Sequence, residues 1–297
     1  MNILDEVHSD LVALKNHPFL SRGIKIFVQR EDEIHPEISG NKWRKLKYNI
    51  KQAKEEGKGI ITFGGAFSNH IAATAAAGRE YNVQTIGMIR GDELNKDSND
   101  TLKKAHSDGM TLVFVGREEY KKRYEEEYLI ELQEKYDDYV LVPEGGANSL
   151  GAKGCEEILQ EEFDYVFCAC GTASTIAGLI NSKKSKNFIG VSALKGAFHK
   201  NEIPKWTNET NWEIQTNYHF GGYGKVDQEL IDFIREFWKE HQILLDPIYT
   251  GKTFFAAFDY LAKNTDLENI KVNLIHTGGL QGWKGYKEFL PEGATIF

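Results

Sequence analysis

The segment GIITFGGAFSNHIAATAAA, from Gly59 to Ala77, joins an apolar run to an alanine-rich helical pattern through a glycine pair. The run 59–63 predicts a buried strand, and 69–81 predicts a helix. A glycine turn between a strand and a helix directs backbone N–H groups, and the positive end of the helix dipole, at whatever lies above the strand. Ser68 and Asn69 add side-chain donors, so the turn suits a carboxylate or a phosphate. The alternative is an ordinary N-cap formed by Ser68 or Asn69.

The same alternation of strands and helices continues on both sides of this segment, which predicts βαβ units and mainly parallel sheets. Ligands of such folds lie at the carboxyl ends of the strands. Polar segments at 181–187 and 199–217 are interpreted as surface loops. Further candidate strands are 24–28, 84–89, 111–115, 139–142, 165–170, 188–193 and 272–276, and further helical patterns are 117–135, 151–162 and 227–241.

Composition excludes several classes of protein. A net charge of -8 disfavours nucleic acid or an anionic membrane as the main partner. No apolar stretch approaches the roughly 20 residues of a membrane span, and the first residues lack a secretory signal pattern, so we expect a cytoplasmic protein. The cysteines Cys155, Cys168 and Cys170 are odd in number and lack the spacing of a disulfide framework or a metal site.

A lysine lies at a second helix start, in SGNKWRK from Ser39 to Lys45. An amine attacks a carbonyl only when it is neutral, so Lys42 in this small-residue loop is a candidate carrier of an aldehyde cofactor, with Asn41 fixing the cofactor or the loop. The alternative is that the four basic residues between positions 42 and 47 form one exposed helix start. Spacing alone does not choose Lys42 over Lys45.

The segment CGTASTIAG, from Cys170 to Gly178, forms another strand-to-helix turn. Its three hydroxyls and its backbone N–H groups suit a phosphate, and a merely capped helix is the alternative. It lacks the spacing of nucleoside-triphosphate and dinucleotide loops. Gly251-Lys252-Thr253 resembles the end of a nucleotide loop, but Asp246 stands where that loop requires a glycine, so we reject this interpretation.

Four further residues, Tyr223, Tyr249, Thr250 and Thr277, could face a ligand. Tyr223 lies in the glycine-rich GGYGK, and Tyr249 precedes Thr250 in DPIYTGKT. Thr277 follows the last candidate strand, where its hydroxyl could bind a ring nitrogen or cap a turn.

These motifs, in this order, resemble those of the 1-aminocyclopropane-1-carboxylate deaminase and D-cysteine desulfhydrase family, within the tryptophan-synthase-β-like group (fold type II) of pyridoxal-phosphate enzymes. The resemblance extends from about residue 15 to residue 279. It implies that Lys42 forms the Schiff base with pyridoxal 5'-phosphate and that Asn69 contacts the ring hydroxyl. Ser68 then has a catalytic, substrate-side role, and His70 is a substrate-side loop contact rather than a catalyst. It also implies a phosphate loop formed by Gly171, Thr172, Ala173, Ser174 and Thr175, and active-site tyrosines at Tyr223 and Tyr249.

The sequence departs from part of that family. The deaminases resemble one another in having Glu where Thr250 stands and Leu where Thr277 stands, whereas the desulfhydrases have small hydroxyl residues at both cofactor-side positions. A carboxylate beside the pyridine nitrogen keeps it protonated, and two hydroxyls cannot supply that charge. Ala173 also replaces a glycine that is common in the phosphate loop.

The resemblance implies two three-layer α/β domains, a larger one of residues 1–45 and 141–297 that binds the cofactor and a smaller inserted one of residues 46–140. It implies a homodimer that acts on a small amino acid by β-elimination, most simply D-cysteine to pyruvate, ammonia and sulfide. The alternatives are 1-aminocyclopropane-1-carboxylate deamination, a β-replacing synthase or racemase of the same fold, and a pyridoxal-phosphate-binding protein with little turnover.

Overall fold

The computed structural model describes residues 7–196 and 199–296, without the side chain of residue 199. The strands are β1 (Leu11–Ala13), β2 (Lys25–Gln29), β3 (Gly59–Gly65), β4 (Thr85–Arg90), β5 (Thr111–Val115), β6 (Tyr139–Val142), β7 (Phe163–Cys170), β8 (Ser185–Ser192), β9 (Trp212–Gln215) and β10 (Lys271–Ile275). The α-helices are α1 (Asn41–Glu56), α2 (Asn69–Tyr81), α3 (Asp100–Ser107), α4 (Arg117–Lys121), α5 (Glu126–Lys135), α6 (Ser149–Cys155), α7 (Ser174–Asn181), α8 (His199–Glu202), α9 (Gln228–His241) and α10 (Thr250–Lys263).

The chain divides into two compact units. Among the described residues, the first unit contains His35–Ile38 and Lys42–Gly154, and the second contains residues 7–34, Ser39–Asn41 and the chain from Cys155 onward. The predicted boundaries of an inserted domain at residues 46 and 140 stay a prediction.

The first unit is built on a four-stranded parallel sheet in the order β5-β4-β3-β6. Successive side chains of a strand point to opposite faces, and β4 shows this directly. Met88 packs with Leu132 of α5 in one apolar cluster, whereas Ile89 packs with Ile71 of α2 and Leu102 of α3 in another. Helices therefore cover both faces, which makes this unit a three-layer α/β structure.

The second unit has a six-stranded sheet in the order β1-β2-β10-β7-β8-β9. All its neighbouring strands are parallel except β1, which runs antiparallel to β2. Phe167 packs with Leu230 of α9 and Phe254 of α10 on one face, and Cys168 packs with Leu179 of α7 on the other. The predicted α/β class with mainly parallel sheets is confirmed.

Four of the predicted segments differ from the structure. Segment 199–217, predicted as an irregular loop, contains α8 and β9, and β8 begins inside segment 181–187. The helical pattern at 117–135 is divided by a 3-10 turn, Lys122–Tyr124, between α4 and α5. The helix predicted at 151–162 begins earlier and ends at Cys155, and the buried side chains of Ile158 and Leu159 follow it outside any helix.

The side chains of Cys155, Cys168 and Cys170 are buried, and within the described part of the chain none of them forms a disulfide. Among residues 7–196 and 199–296, no helix has the length and apolarity needed to cross a membrane. The same residues contain no cluster of His, Cys, Asp or Glu arranged to hold a metal ion.

Candidate active site

The turn between β3 and α2, at Gly64–Asn69, is a compact helix start. The Ser68 hydroxyl oxygen is the N-cap and accepts the N–H of Ile71 at 3.3 Å. A Cβ added to Gly64 would lie 2.4 Å from Cγ1 of Ile71, so a glycine is required for this close approach of strand and helix. Both Ser68 and Asn69 remain partly exposed. The N-cap alternative is therefore correct for Ser68, and it leaves the start of α2 available to an anion.

His70 lies behind this turn and is buried. Its Nε2 lies 2.9 Å from Oγ1 of Thr62, whose hydroxyl donates to the carbonyl oxygen of Val142 at 2.6 Å. Because the Thr62 hydroxyl donates its only proton to the Val142 carbonyl oxygen, His70 Nε2 must be the donor to Thr62 Oγ1. The other ring nitrogen of His70, Nδ1, is then an acceptor. Among the described residues, that Nδ1 has no hydrogen-bond partner.

The electrostatics around His70 favour its neutral form. Burial holds the pKa of His70 well below its usual value, and the nearby charges of Lys42 and Lys45 lower this pKa further. Lys42 therefore lies close enough to His70 to act on it electrostatically. A neutral His70 does not supply a proton at neutral pH, and its role as a loop contact stays a prediction.

Lys42 and Lys45, between which sequence spacing does not choose, have different surroundings in the structure. Lys45 is buried, and its Nζ donates to the carbonyl oxygen of Gly145 at 3.0 Å. Lys42 is partly exposed in the first turn of α1. The alternative of one exposed basic helix start is wrong, because Arg44, Lys45 and Lys47 are all buried.

Sequence reasoning missed the turn that receives Lys45. Gly145 and Gly146 follow β6 with φ angles of +69° and +68°, in the left-handed region that favours glycine. A Cβ added to Gly146 would lie 3.1 Å from Cβ of Lys45 and 3.5 Å from Cε1 of His70. A glycine pair two residues after the end of a predicted strand is the signal that could have found this turn.

In the second unit, the predicted phosphate loop lies between β7 and α7. The hydroxyls of Thr172 and Ser174 are 3.5 Å apart at the start of the helix. Ala173 has φ +64°, a left-handed conformation that costs a residue with a Cβ about 1–2 kcal/mol. This angle explains why a glycine is common at that position, and the loop forms with alanine all the same.

Asn41 connects two loops of the second unit. Its Nδ2 donates to Oγ1 of Thr175 at 2.8 Å, and its backbone N–H donates to the carbonyl oxygen of Thr277 at 3.3 Å. Gly40 has φ +66°, and a Cβ there would lie 2.0 Å from the same Thr277 oxygen. The residue that directly precedes Lys42 in the chain is therefore held by both predicted cofactor loops.

The segment before α10 is organised by Asp246, which is fully buried. Its carboxylate accepts the N–H groups of Ile248, Tyr249 and Thr250 at 2.9, 2.8 and 2.8 Å. It also accepts the Thr250 hydroxyl at 2.6 Å, and Thr250 Oγ1 accepts the Asp246 N–H at 2.8 Å. The sequence did not assign this role to Asp246.

Thr250 and Thr277, the two threonines predicted to contact the cofactor, differ in their hydrogen bonds. The Thr250 hydroxyl is fully buried and donates its hydrogen bond to the Asp246 carboxylate, so it stabilises the turn. Among the described residues, the Thr277 hydroxyl makes no hydrogen bond, although its carbonyl oxygen binds Asn41. Of the two threonines, Thr277 is the one whose hydroxyl is available to a ring nitrogen.

The two predicted tyrosines lie together. The rings of Tyr223 and Tyr249 meet edge to face with centroids 6.1 Å apart. A Cβ added to Gly171 would lie 3.5 Å from Cε1 of Tyr249, so Tyr249 lies beside the phosphate loop. The predicted second-unit residues thus gather at the carboxyl end of β7, as expected for a parallel sheet.

Comparisons with known proteins identify the family of this chain. The sequence pattern of the family described as pyridoxal-phosphate dependent enzyme matches residues 12–278. The chain is 32% identical to a Thermotoga maritima protein named "Putative 1-aminocyclopropane-1-carboxylate deaminase", over 91% of this chain and 96% of that protein. It is 29% identical to a mitochondrial Arabidopsis thaliana protein named bifunctional D-cysteine desulfhydrase/1-aminocyclopropane-1-carboxylate deaminase, over 90% of this chain and 75% of that one.

A solved structure described as a homologue of ACC deaminase superimposes with a TM-score of 0.77 at 28% identity, covering 96% of this chain and 95% of that chain. The family match spans most of the chain and includes every position proposed above as a site residue. The chain is therefore a pyridoxal-phosphate-dependent enzyme of fold type II and belongs to the 1-aminocyclopropane-1-carboxylate deaminase and D-cysteine desulfhydrase family.

Proposed function

We propose that this enzyme catalyses β-elimination on a small amino acid, with D-cysteine as its substrate. One D-cysteine and one water yield one pyruvate, one ammonia and one hydrogen sulfide. The observation that carries the proposal is that hydroxyl residues, Thr250 and Thr277, stand where the family's deaminases have Glu and Leu, so the carboxylate that those enzymes place at position 250 is missing here. The Thr250 hydroxyl adds no charge, and the Asp246 carboxylate beside it already accepts four hydrogen bonds.

The residues present fit pyridoxal 5'-phosphate. The loop Gly171–Thr175 offers hydroxyls and the positive start of α7 to the phosphate group. Thr277 offers a hydroxyl to the ring nitrogen, Asn69 an amide to the ring hydroxyl, and Lys42 an amine to the aldehyde. Once bound, the cofactor supplies an aldehyde that links to amines and a ring that accepts the electron pair left at Cα.

The chain's own residues then have distinct tasks. Ser68 and Asn69, at the start of α2, bind the substrate carboxylate, because the helix dipole and the side-chain donors favour an anion there. Lys42 would hold the cofactor through its amine, and the same amine, when neutral and unattached, would accept the proton from Cα of the substrate. Tyr223 and Tyr249, in edge-to-face contact, orient the substrate and give a proton to the departing sulfur. Neutral His70 keeps Nδ1 as an acceptor behind the Ser68 turn.

The proposal is tested by incubating the holoenzyme separately with D-cysteine, L-cysteine and 1-aminocyclopropane-1-carboxylate, with sulfide, pyruvate and 2-oxobutanoate as the measured products. We expect sulfide and pyruvate in equal amounts from D-cysteine and no 2-oxobutanoate from the cyclopropane. Formation of 2-oxobutanoate, with neither sulfide nor pyruvate from D-cysteine, would make the substrate assignment wrong.

A second candidate is 1-aminocyclopropane-1-carboxylate deaminase, which the name of the Thermotoga maritima relative favours. The two hydroxyl residues count against it, and the same assay separates the two activities. A β-replacing synthase would show itself by a new amino acid when a nucleophile is added to the assay.

We further propose a cytoplasmic homodimer in which residues 46–140 form the smaller, inserted domain. These proposals rest on the family resemblance. Light scattering of the purified holoenzyme tests the dimer, and limited proteolysis at the domain borders tests the division.

A further inference from the structure

Lys252 is a charged residue in an unfavourable place. It is fully buried, and it lies in the first turn of α10, where the positive end of the helix dipole repels a cation. Burial lowers the pKa of Lys252 to about 8, although Asp246 and Asp227 oppose the shift. Burying an ammonium is expensive unless it is well paired, so the contacts of Nζ show what the residue contributes.

Within residues 7–196 and 199–296, Nζ makes two hydrogen bonds, and both are to backbone carbonyls of one loop, His219–Lys225, here called the Tyr223 loop. Nζ donates to the carbonyl oxygen of His219 at 2.9 Å and to that of Gly222 at 3.0 Å. The same two carbonyls accept the loop's own N–H groups, from Gly222 at 2.9 Å and from Lys225 at 3.1 Å. The ammonium thus lies at the centre of two successive turns.

The Tyr223 loop needs such support because its backbone is irregular. Four residues have φ between +48° and +122°, namely Phe220, Gly221, Gly222 and Gly224. A loop of this conformation has no helical or strand hydrogen bonds to keep it in one state. In the described structure, its other side-chain anchors include the Tyr286 hydroxyl, which donates to the carbonyl oxygen of Gly224.

Tyr223 is the residue after Gly222, whose carbonyl oxygen binds Lys252 Nζ. Tyr223 is 58% exposed, yet its ring meets that of Tyr249 at 6.1 Å. Tyr249 stands three residues before Lys252 and is itself held by Asp246. The short segment from Tyr249 to Lys252 therefore carries one of the two rings and also the ammonium that binds the loop of the other ring, Tyr223.

We propose that Lys252 is a positioning residue: its ammonium fixes the Tyr223 loop so that Tyr223 stays against Tyr249 beside the phosphate loop. The part of this proposal that concerns catalysis rests on the function proposed above for the tyrosines. The part that concerns the loop does not, and it has its own measurement.

The test compares the holoenzyme with Lys252→Met, a neutral side chain of similar length, by hydrogen exchange of the peptide that covers 219–225. We expect exchange of this peptide to rise about tenfold, with little change in 250–263. Lys184→Met is the matched control, because Lys184 Nζ also donates to a backbone carbonyl, that of Leu159 at 2.8 Å. The control should leave 219–225 unchanged.

A double-mutant cycle with Tyr223→Phe gives the catalytic readout. If Lys252 acts through Tyr223, Lys252→Met should lower kcat/KM about tenfold in the wild-type background and less than about twofold in the Tyr223→Phe background. Fully additive losses would show a general structural role and overturn the catalytic part of the proposal.

Unchanged exchange of 219–225 in folded Lys252→Met would overturn the proposal whatever the activity shows. If Lys252→Met does not fold, Lys252→Gln keeps one amide donor, and the same exchange criterion applies to it with a smaller expected rise. Absence of sulfide from D-cysteine in the wild type would overturn the proposed substrate but not the role of Lys252, which the exchange measurement decides alone.

Discussion

Replacing Thr250 by Val tests whether its hydroxyl serves the turn or the cofactor. Valine keeps the shape of threonine, so the loss is that of the hydroxyl alone. The substitution removes a charge-assisted hydrogen bond to Asp246 and leaves the Asp246 N–H without its acceptor at 2.8 Å. A hydrogen bond to a charged group contributes about 1.5–3 kcal/mol, and a neutral one about 1 kcal/mol, so we expect a loss of about 3 kcal/mol in the free energy of unfolding.

Thr253→Val is the matched control. Thr253 is equally buried on the same helix, but its hydroxyl donates at 2.9 Å to the Tyr249 carbonyl oxygen, which also accepts the Thr253 N–H. No group is left unsatisfied there, so we expect a loss below about 1 kcal/mol. Urea unfolding of the cofactor-free proteins, followed by both circular dichroism and tryptophan fluorescence, measures the difference. Equal losses in the two variants, or an unchanged stability of Thr250→Val together with weakened cofactor binding, would refute this reasoning.

Three further predictions concern conformation and charge. Gly40→Ala should prevent correct folding of the Lys42 segment, since its Cβ would lie 2.0 Å from the Thr277 carbonyl oxygen, whereas Gly57→Ala, with φ +64° and open space, should cost only about 1–2 kcal/mol by urea unfolding. Ala173→Gly should raise the stability of the cofactor-free protein by up to about 1 kcal/mol in the same assay, because it relieves a left-handed φ of +64°, and an unchanged or lower value would contradict the strain. Burial holds the pKa of His70 well below its value in the unfolded chain, so the folded state binds this proton less readily and acidification from pH 7.5 to 5 should lower the stability through this residue; His70→Gln should lose less stability over the same range in urea unfolding.

The elements that the sequence predicted well are those whose residues decide their own conformation. The runs in β3, β5 and β6 are apolar and bounded by turn residues, and α2 has a serine N-cap and an alanine-rich face. Apolar runs, turn residues and helix caps act between neighbours in the chain, so they determine the element that forms and can be recognised in the sequence. The strands β1 and β9 were missed because they have three and four residues, and their sheet neighbours supply the hydrogen bonds that hold them.

In the candidate site too, sequence predicts the features set by neighbouring residues and misses those set by distant ones. The turns at Ser68 and at Gly171–Thr175 follow from glycines and hydroxyls next to strands. The choice between Lys42 and Lys45, however, depends on a carbonyl 100 positions away in the chain, that of Gly145. Likewise, no spacing rule shows that the Thr250 hydroxyl donates to Asp246 or that Lys252 holds the Tyr223 loop, because these contacts exist only after the chain has folded.

The attachment of the cofactor to Lys42 is the claim that the other assignments depend on. Reducing the holoenzyme with borohydride and mapping the labelled peptide by mass spectrometry tests it directly. We predict a single pyridoxyl adduct on Lys42, and none on Lys45 or Lys252. An adduct on another lysine, or a protein that stays colourless after reconstitution with pyridoxal 5'-phosphate, would contradict the account.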